Sequence, residues 1–480
     1  VPRITIGVIS DPRESSTVHR LTWSMLAIGF ALRLARPEVH SMWIDEGMTI
    51  AIAESADPFA YFAFDSHPPL SFLAFRAWIA LFGTGDFALR ILPASVACVS
   101  LALFVPLARR WLGPARAVWA VATYAVAPIL VGFAHEVRMY AFVELATLFV
   151  FTAANSARAE PGVRRWILLA IATATATGLH YYGALAGLVC VVQALAARDG
   201  SSIRTGIATG TGVLVWMPWI HSTVPVQLDN TWPMVVKDTG RDWLELPARL
   251  LASDFIVLPE HGLSAIGWAL GALALVGMIL GVLHALVRRS RADVDIVIAL
   301  GVPVLAAFAL AKFLGGGFQP RYLTPAIPGA IACITLGLTW IRPSILGRCA
   351  STLLIVCAGS MSVLQLSENR REDYRSASEE IRARWRDGDR LLLLVCVPDV
   401  YVSATVEHYL RDRPDILAAR LDTDSYLAGK NRPPSGTRVH VIWREATLCA
   451  EPMVLLSASH TLIEDSGPRF RIHRWLTTVP

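Results

Sequence analysis

Asp45 and Glu46 stand side by side in Ser41-Met-Trp-Ile-Asp-Glu-Gly47, just beyond the first long apolar run of the chain. An acid buried at the centre of a hydrocarbon layer costs about 2.5–3.5 kcal/mol on insertion scales, so carboxylates set close to one usually line a pathway or a reaction site. They can accept a proton or bind a cation. Other reactive side chains recur at the ends of later apolar runs. Asp65 and His67 lie in Asp65-Ser-His-Pro-Pro-Leu70, Arg138 and Tyr140 follow His135-Glu136, His180 precedes Tyr181-Tyr182, and Arg321 precedes Tyr322. Arginine offers a planar, permanently charged fork that suits phosphate. Glu46, His135, Glu136, His180 and His221 are of types that hold zinc or manganese, but their spacing is not that of a metal motif, and a structural or solvated role is the plainer reading.

The elements that must position these groups are membrane helices. The chain is 54% hydrophobic and 17% charged, with a mean hydropathy of +0.49, which excludes an ordinary soluble protein of 480 residues. The net charge of +5 does not point to nucleic acid, because the basic residues fall in short clusters between apolar runs. Five of the seven cysteines (Cys98, Cys190, Cys333, Cys349, Cys357) sit in or beside apolar runs, so no disulfide framework is expected. A spanning helix needs about 20 mainly apolar residues. About eleven stretches qualify: 21–36, 87–108, 117–134, 139–157, 166–180, 183–197, 204–221, 263–287, 294–313, 322–341 and 348–366. The first has no cleavage-site pattern and reads as an anchor.

Charge then sets the topology. The apolar segment 70–82 is short, carries Arg76 and follows Pro68-Pro69. Laid along the interface, it leaves Arg109/Arg110/Arg116, Arg158/Arg164/Arg165, Arg198/Arg204, Arg288/Arg289/Arg291 and Arg342/Arg348 on one face, the positive-inside pattern. Residues 1–20 are then cytoplasmic, and 21–366 form the membrane domain. The external face receives the loop 37–86, the turns at 135–138 and 180–182, the 222–262 loop, residues 319–322 and the tail. Tyr181, Tyr182, Trp216, Trp219 and Trp232 read as an aromatic belt. The tail, 367–480, changes character: an amphipathic helix at 374–387, a strand at 390–397, a helical run near 400–411, and strands at 439–443 and 470–475 predict a small external α/β domain. A Cys396–Cys449 disulfide is weighed against simple burial of Cys396 in its strand.

Asp45-Glu46 after the first helix, Asp65-Ser-His-Pro-Pro-Leu70, Arg90-Ile-Leu-Pro93, Arg138-Met-Tyr140 and Arg321-Tyr-Leu-Thr-Pro-Ala-Ile-Pro328 together resemble the protein O-mannosyltransferase and aminoarabinose-transferase group of the GT-C superfamily of membrane glycosyltransferases. The Asp-x-His-Pro-Pro-Leu string is close to the mannosyltransferase form, and the aminoarabinose transferases are similar with Lys in place of the His. The resemblance covers residues 20–366. It implies transfer of a sugar from a polyprenyl-phosphate donor to an acceptor hydroxyl on the external face, with inversion at the anomeric carbon. It implies Asp45 as general base and places His67 where the aminoarabinose transferases have Lys. Glu46 then orients Asp45, holds the acceptor or joins a metal site. Arg138 and Arg321 are the natural donors to the departing phosphate, with Tyr140 and Tyr322 beside them. Asp65 caps the interfacial helix or positions Asp45. The same residues admit structural roles: the arginines as interfacial anchors, and His67 as the cap of a rigid turn. No cofactor is required by this chemistry, although a divalent metal at the candidates above is compatible with it. The partners are the lipid-linked donor, membrane lipid and an unnamed acceptor, with no nucleic acid. The rival reading is a transporter or flippase of a lipid-linked substrate, whose external acids bind ligand without chemistry.

Overall fold

The computed structural model describes residues 16–57, 65, 67–231, 240–252, 264–313, 319–367, 369, 371–394, 399–427, 430, 432–444, 461–465 and 472–479. They belong to two compact units. One is drawn from Val1–Pro37, Asp57–Ala74 and Phe87–Ser367, the other from Glu38–Ala56, Phe75–Asp86 and Glu368–Pro480.

The helices run α1 (Ser16–Leu34), α2 (Ile44–Glu54), α3 (Leu70–Phe82), α4 (Asp86–Leu112), α5 (Pro114–Val126), α6 (Pro128–Ala134), α7 (Tyr140–Ala159) and α8 (Val163–Leu179). They continue with α9 (Ala184–Ala197), α10 (Ser202–Leu214), α11 (Met217–Thr231), α12 (Gly240–Arg249), α13 (Ser264–Arg288), α14 (Arg291–Phe313), α15 (Ile327–Trp340) and α16 (Ser344–Gln365). Among the described residues six helices are long and apolar enough to cross a membrane: α4, α7, α13, α14, α15 with its entry turn, and α16. The pair α5 and α6, bent by 51°, makes a seventh. This is an integral membrane protein. The sequence reading of about eleven spans is met to that extent. Helices also stand at the other four places, but α1, α8, α9 and α10 have 19, 17, 14 and 13 residues. A straight crossing needs about 20. The helix α3 has 13 residues and is likewise too short to cross.

The first unit is built around α15, whose residues Ile327–Leu338 are buried on every face. A helix apolar all round belongs in an interior. It packs against α13 through small residues: a side chain at Gly337 would collide with the Gly277 carbonyl, and one at Gly281 with the Cys333 carbonyl. Close backbone approach of this kind replaces the hydrophobic drive that helices lack inside lipid.

The break between α5 and α6 positions the turn that follows it. Pro128 has no N–H for the Tyr124 carbonyl, and the Ile129 N–H turns instead to the Leu251 carbonyl at 3.0 Å. Three carbonyls lose their helical donors, and each is satisfied from elsewhere, as the lipid interior requires. The buried Arg33 donates to Tyr124 O at 3.1 Å and Ala125 O at 2.8 Å, while Ser362 Oγ donates to Val126 O at 2.8 Å. Helix α6 therefore ends after two turns, and His135 to Met139 emerge at a fixed place.

The second unit holds α17 (Tyr374–Arg384), α18 (Asp399–Leu410), α19 (Pro414–Ala418) and α20 (Thr423–Leu427) with a four-stranded sheet. Its strands are β1 (Arg390–Leu394), β2 (Arg438–Arg444), β3 (Thr461–Asp465) and β4 (Ile472–Thr478), in the order β1-β2-β4-β3. The pair β1 and β2 is parallel, with Leu392 opposite Val441, and the remaining pairs are antiparallel. The unbroken apolar run of β1 suits a strand covered on both faces. Helix α2 belongs to this unit and packs on α18, where Gly47 leaves no room for a side chain beside Thr405. The strand expected at 470–475 runs 472–478, β3 went unforeseen, and Cys396, Cys449 and Trp232 lie outside the described residues.

Candidate active site

In the first unit, four breaks in the helical order deliver polar side chains to one cluster. Asp65 and His67 precede the rigid Pro68-Pro69 pair. Arg138 lies in the turn after α6, and Tyr140 opens α7. His180 ends α8 with extended backbone and starts a 3-10 turn, Tyr181–Gly183. Arg321 and Tyr322 lie in a second 3-10 segment, Pro320–Ala326, which leads into α15. Prolines 320, 325 and 328 remove N–H donors there, which explains why a regular α-helix starts only afterwards.

Asp65 is the organising acid. Its Oδ1 accepts the His67 backbone N–H at 3.0 Å and lies 2.6 Å from His67 Nδ1, and its Oδ2 is 3.4 Å from Arg138 Nη1. The short contact places the proton on Nδ1, so Arg138 Nη2, 3.2 Å from that nitrogen, packs against the ring without a lone pair to bond. Burial alone would raise the Asp65 carboxyl, but the charges and hydrogen bonds of His67 and Arg138 outweigh it and hold it at about 2. Through these contacts Asp65 braces His67 and Arg138. Arg138 is 2% exposed, which does not fit an arginine snorkelling to the surface.

His180 is central to the rings: its centroid lies 5.1 Å from that of His67, 6.2 Å from Tyr140, 5.7 Å from Tyr182 and 5.2 Å from Tyr322. Its Nδ1 accepts the Tyr182 N–H at 3.1 Å. Burial, and then the positive charges of His67, Arg138 and Arg321, push its pKa well below the ordinary histidine value. His180 is therefore a neutral imidazole with its proton on Nε2. That buried Nε2, and the buried hydroxyl of Tyr140, have no hydrogen-bond partner among the described residues. Arg321 lies over the Tyr140 ring, its guanidinium carbon 5.6 Å from the centroid. Arg138, an imidazole N–H and a phenol are thus buried together, with the half-buried Arg321 beside them. Such a donor set is suited to the oxygens of an anion, and a phosphate meets that description.

Asp45 and Glu46 belong to the second unit and open α2. Glu46 is the third helical residue and caps its own helix. Its Oε2 accepts the N-cap Trp43 N–H at 3.2 Å, reaching back from the third helical residue, and it meets Arg371 at 3.0 Å. Both partners of this ion pair are buried. Asp45 itself is half-buried, and its carbonyl accepts the Thr49 hydroxyl at 2.9 Å. Arg371 had not been singled out in the sequence; the only signal was the charged run Arg370-Arg-Glu-Asp373 just past the last apolar stretch.

The metal candidates fare differently. His135 Nδ1 is 2.9 Å from Val131 O and Nε2 is 3.0 Å from Ala35 O, so both ring nitrogens are engaged by carbonyls. His180 Nδ1 is occupied by Tyr182, and Glu46 by Trp43 and Arg371. Glu136 is buried, and His221 is exposed on α11. No group of three His, Cys, Asp or Glu placed to hold a metal ion occurs among the described residues. The aromatic belt also has structural bonds: Trp216 Nε1 donates to Ala174 O at 2.7 Å and Trp219 Nε1 to the Tyr181 hydroxyl at 3.2 Å.

Residues 66–223 match the family model of dolichyl-phosphate-mannose-protein mannosyltransferases. The fold is similar to that of ArnT from Cupriavidus metallidurans. The apo structure superposes with a TM-score of 0.60 at 15% identity, covering 95% of this chain and 97% of that one. The same enzyme bound to undecaprenyl phosphate gives 0.58 at 16% identity, covering 96% and 98%. An oligosaccharyltransferase from Archaeoglobus fulgidus, in complex with zinc and sulfate, gives 0.50 at 12% identity, covering 81% of this chain and 61% of that one. No curated protein sequence matches the chain. At these identities the structural likeness shows the fold alone, which is similar to that of ArnT. The match over residues 66–223 supports glycosyltransferase activity.

Proposed function

We propose that the chain transfers a sugar from a polyprenyl-phosphate donor to an acceptor hydroxyl of a glycolipid, polysaccharide or protein at the external face of the membrane. The observation that carries this reading is the cluster of buried Arg138, His67, His180 and Tyr140 with half-buried Arg321, where an imidazole N–H and a phenol lack partners among the described residues. Its donors suit the phosphate that departs as the bond to the anomeric carbon breaks. Fixed donors aimed at developing charge cost no reorganisation during reaction. Asp45 takes the acceptor proton, the acceptor oxygen attacks the anomeric carbon from the opposite side, and a single displacement inverts it. Asp65 keeps His67 and Arg138 in place. Undecaprenyl phosphate bound to the ArnT relative supports a lipid phosphate as the leaving group.

The arrangement in the membrane belongs to the same proposal. Eleven crossings, with α1, α8, α9 and α10 among them and α3 along the interface, put residues 1–20 in the cytoplasm and the α/β tail outside. The positive-inside distribution of arginines supports it. A flippase is not favoured, because the family match brings a transferase signature. The test is transfer in detergent from a synthetic polyprenyl-phosphate sugar to extracted envelope lipids and proteins. Sugar-labelled acceptor together with free carrier phosphate is the expected result; donor binding without phosphate release would overturn it.

A further inference from the structure

The loop that carries Asp45 is bonded along its backbone to the segment that follows the last membrane helix. All of these residues lie in the second unit. The Ser41 N–H donates to Asn369 Oδ1 at 3.1 Å, and the Arg371 N–H donates to the same oxygen at 3.1 Å. The Arg375 N–H donates to Ser41 Oγ at 3.0 Å, while its guanidinium reaches the Glu38 and His40 carbonyls, each at 2.9 Å. The Met42 N–H donates to the Tyr409 hydroxyl at 2.6 Å. Next in line are the Glu46–Arg371 pair and the contact of Gly47 with Thr405. Main-chain groups of residues 38–42, just before Trp43, are therefore held by Asn369, Arg375 and Tyr409, while Arg371 holds the Glu46 side chain. A loop built for mobility would leave such groups to water.

We infer that Asn369, Arg371, Arg375 and Tyr409 are the mount of the segment that leads into Asp45, and that Arg371 is a positioning residue that acts through Glu46 on Asp45. This rests on Asp45 being the base. The physical argument concerns the first turn of α2. Glu46 fixes that turn by closing onto the Trp43 N–H, and Asp45 is its immediate neighbour, so the direction of the Asp45 side chain follows from the orientation of the turn. Glu46 is buried, and a buried carboxylate needs a partner. Arg371 supplies it. Without Arg371 the carboxylate must seek water or take up a proton, and either response releases the cap. Proton abstraction is sensitive to misplacement of this kind: a shift of about 1 Å can cost about a hundredfold in rate.

The experiment compares kcat, donor KM and equilibrium binding of a non-reactive polyprenyl-phosphate analogue in the full-length protein. The variants are Arg371→Gln, Arg371→Lys, Glu46→Gln, the Glu46→Gln/Arg371→Gln double, Tyr409→Phe and Asp45→Asn. Arg371→Gln is expected to lower kcat about a hundredfold with donor binding within about twofold of wild type, and Arg371→Lys to recover part of the loss, since it keeps the charge but not the fork. The double variant is expected to be no worse than Arg371→Gln, because removing both partners leaves no lone buried charge. Tyr409→Phe removes one acceptor of the mount without removing volume; it lowers kcat and spares donor binding, and it decides the case if Arg371→Gln fails to fold. Wild-type kcat in both Arg371→Gln and Tyr409→Phe overturns the proposal, as do losses in the double variant that multiply those of the singles. Turnover retained by Asp45→Asn sinks the base assignment instead, a separate outcome.

Discussion

In the proposed function, proton transfer and phosphate binding fall to different side chains, so they separate by measurement. Asp45→Asn removes a base and almost no volume; it should abolish transfer while leaving the affinity for a non-reactive polyprenyl-phosphate analogue within a few-fold. Arg138→Ala and Arg321→Ala should each weaken that binding by about ten- to a hundredfold, since a charge-assisted hydrogen bond is worth about 1.5–3 kcal/mol. Wild-type affinity in both alanine variants would remove the phosphate assignment. Asp65 adds a pH signature. Its folded value of about 2 lies below the unfolded reference of about 3.9, so its contribution to stability is full above about pH 5 and fades as pH falls toward about 2. The difference in thermal stability between wild type and Asp65→Asn should accordingly be constant from about pH 5 to 8 and shrink below about 4. A difference that changes across the neutral range would point to another titrating group.

At the scale of elements, the helix ends explain how sites form here, and they also mark how far the sequence could be read. Asp65, His67, Arg138, Tyr140, His180, Arg321 and Tyr322 were legible because each is a polar residue at the end of an apolar run, and such ends share a membrane face. Their mutual pairing was not, since nothing in the spacing tells that Asp65 turns to Arg138 or that His180 faces four rings. Arg33 carries no local signal for its role, although it holds the carbonyls orphaned at Pro128. The partner of Glu46 escaped for the same reason: a contact between segments distant in sequence leaves no local pattern. The break itself is testable. Arg33→Met leaves the Tyr124 and Ala125 carbonyls without their donor inside an apolar bundle, where each unsatisfied group costs about 1–3 kcal/mol. The expected result is a lower melting temperature in detergent together with weaker donor binding, because the turn bearing Arg138 is anchored by α6. Unchanged stability would mean that other groups satisfy these carbonyls.

At the scale of the whole molecule the open quantity is the number of crossings, and parity measures it. The helices α8, α9 and α10 rise only about 1.5 Å per residue against a hydrocarbon core of about 30 Å. At 17, 14 and 13 residues they cross only if flanking turns or thinning of the bilayer make up the length. Three single cysteines in a background lacking the native seven settle the count. Ala56→Cys lies in the loop after α2, Ala115→Cys at the start of α5, and Ser222→Cys on α11; all three positions are exposed. Between residues 56 and 115 the proposed arrangement has one crossing, α4, because α3 lies along the interface. Between 115 and 222 it has five: the bent pair, α7, α8, α9 and α10. An impermeant thiol reagent added outside intact cells should therefore label Ala56→Cys and Ser222→Cys and spare Ala115→Cys until the membrane is opened. Labelling of Ala56→Cys and Ala115→Cys from the same side would make α3 a span. Labelling of Ala115→Cys and Ser222→Cys together would mean that an even number of helices cross between them, and one of the three short helices would then have to be withdrawn from the membrane count.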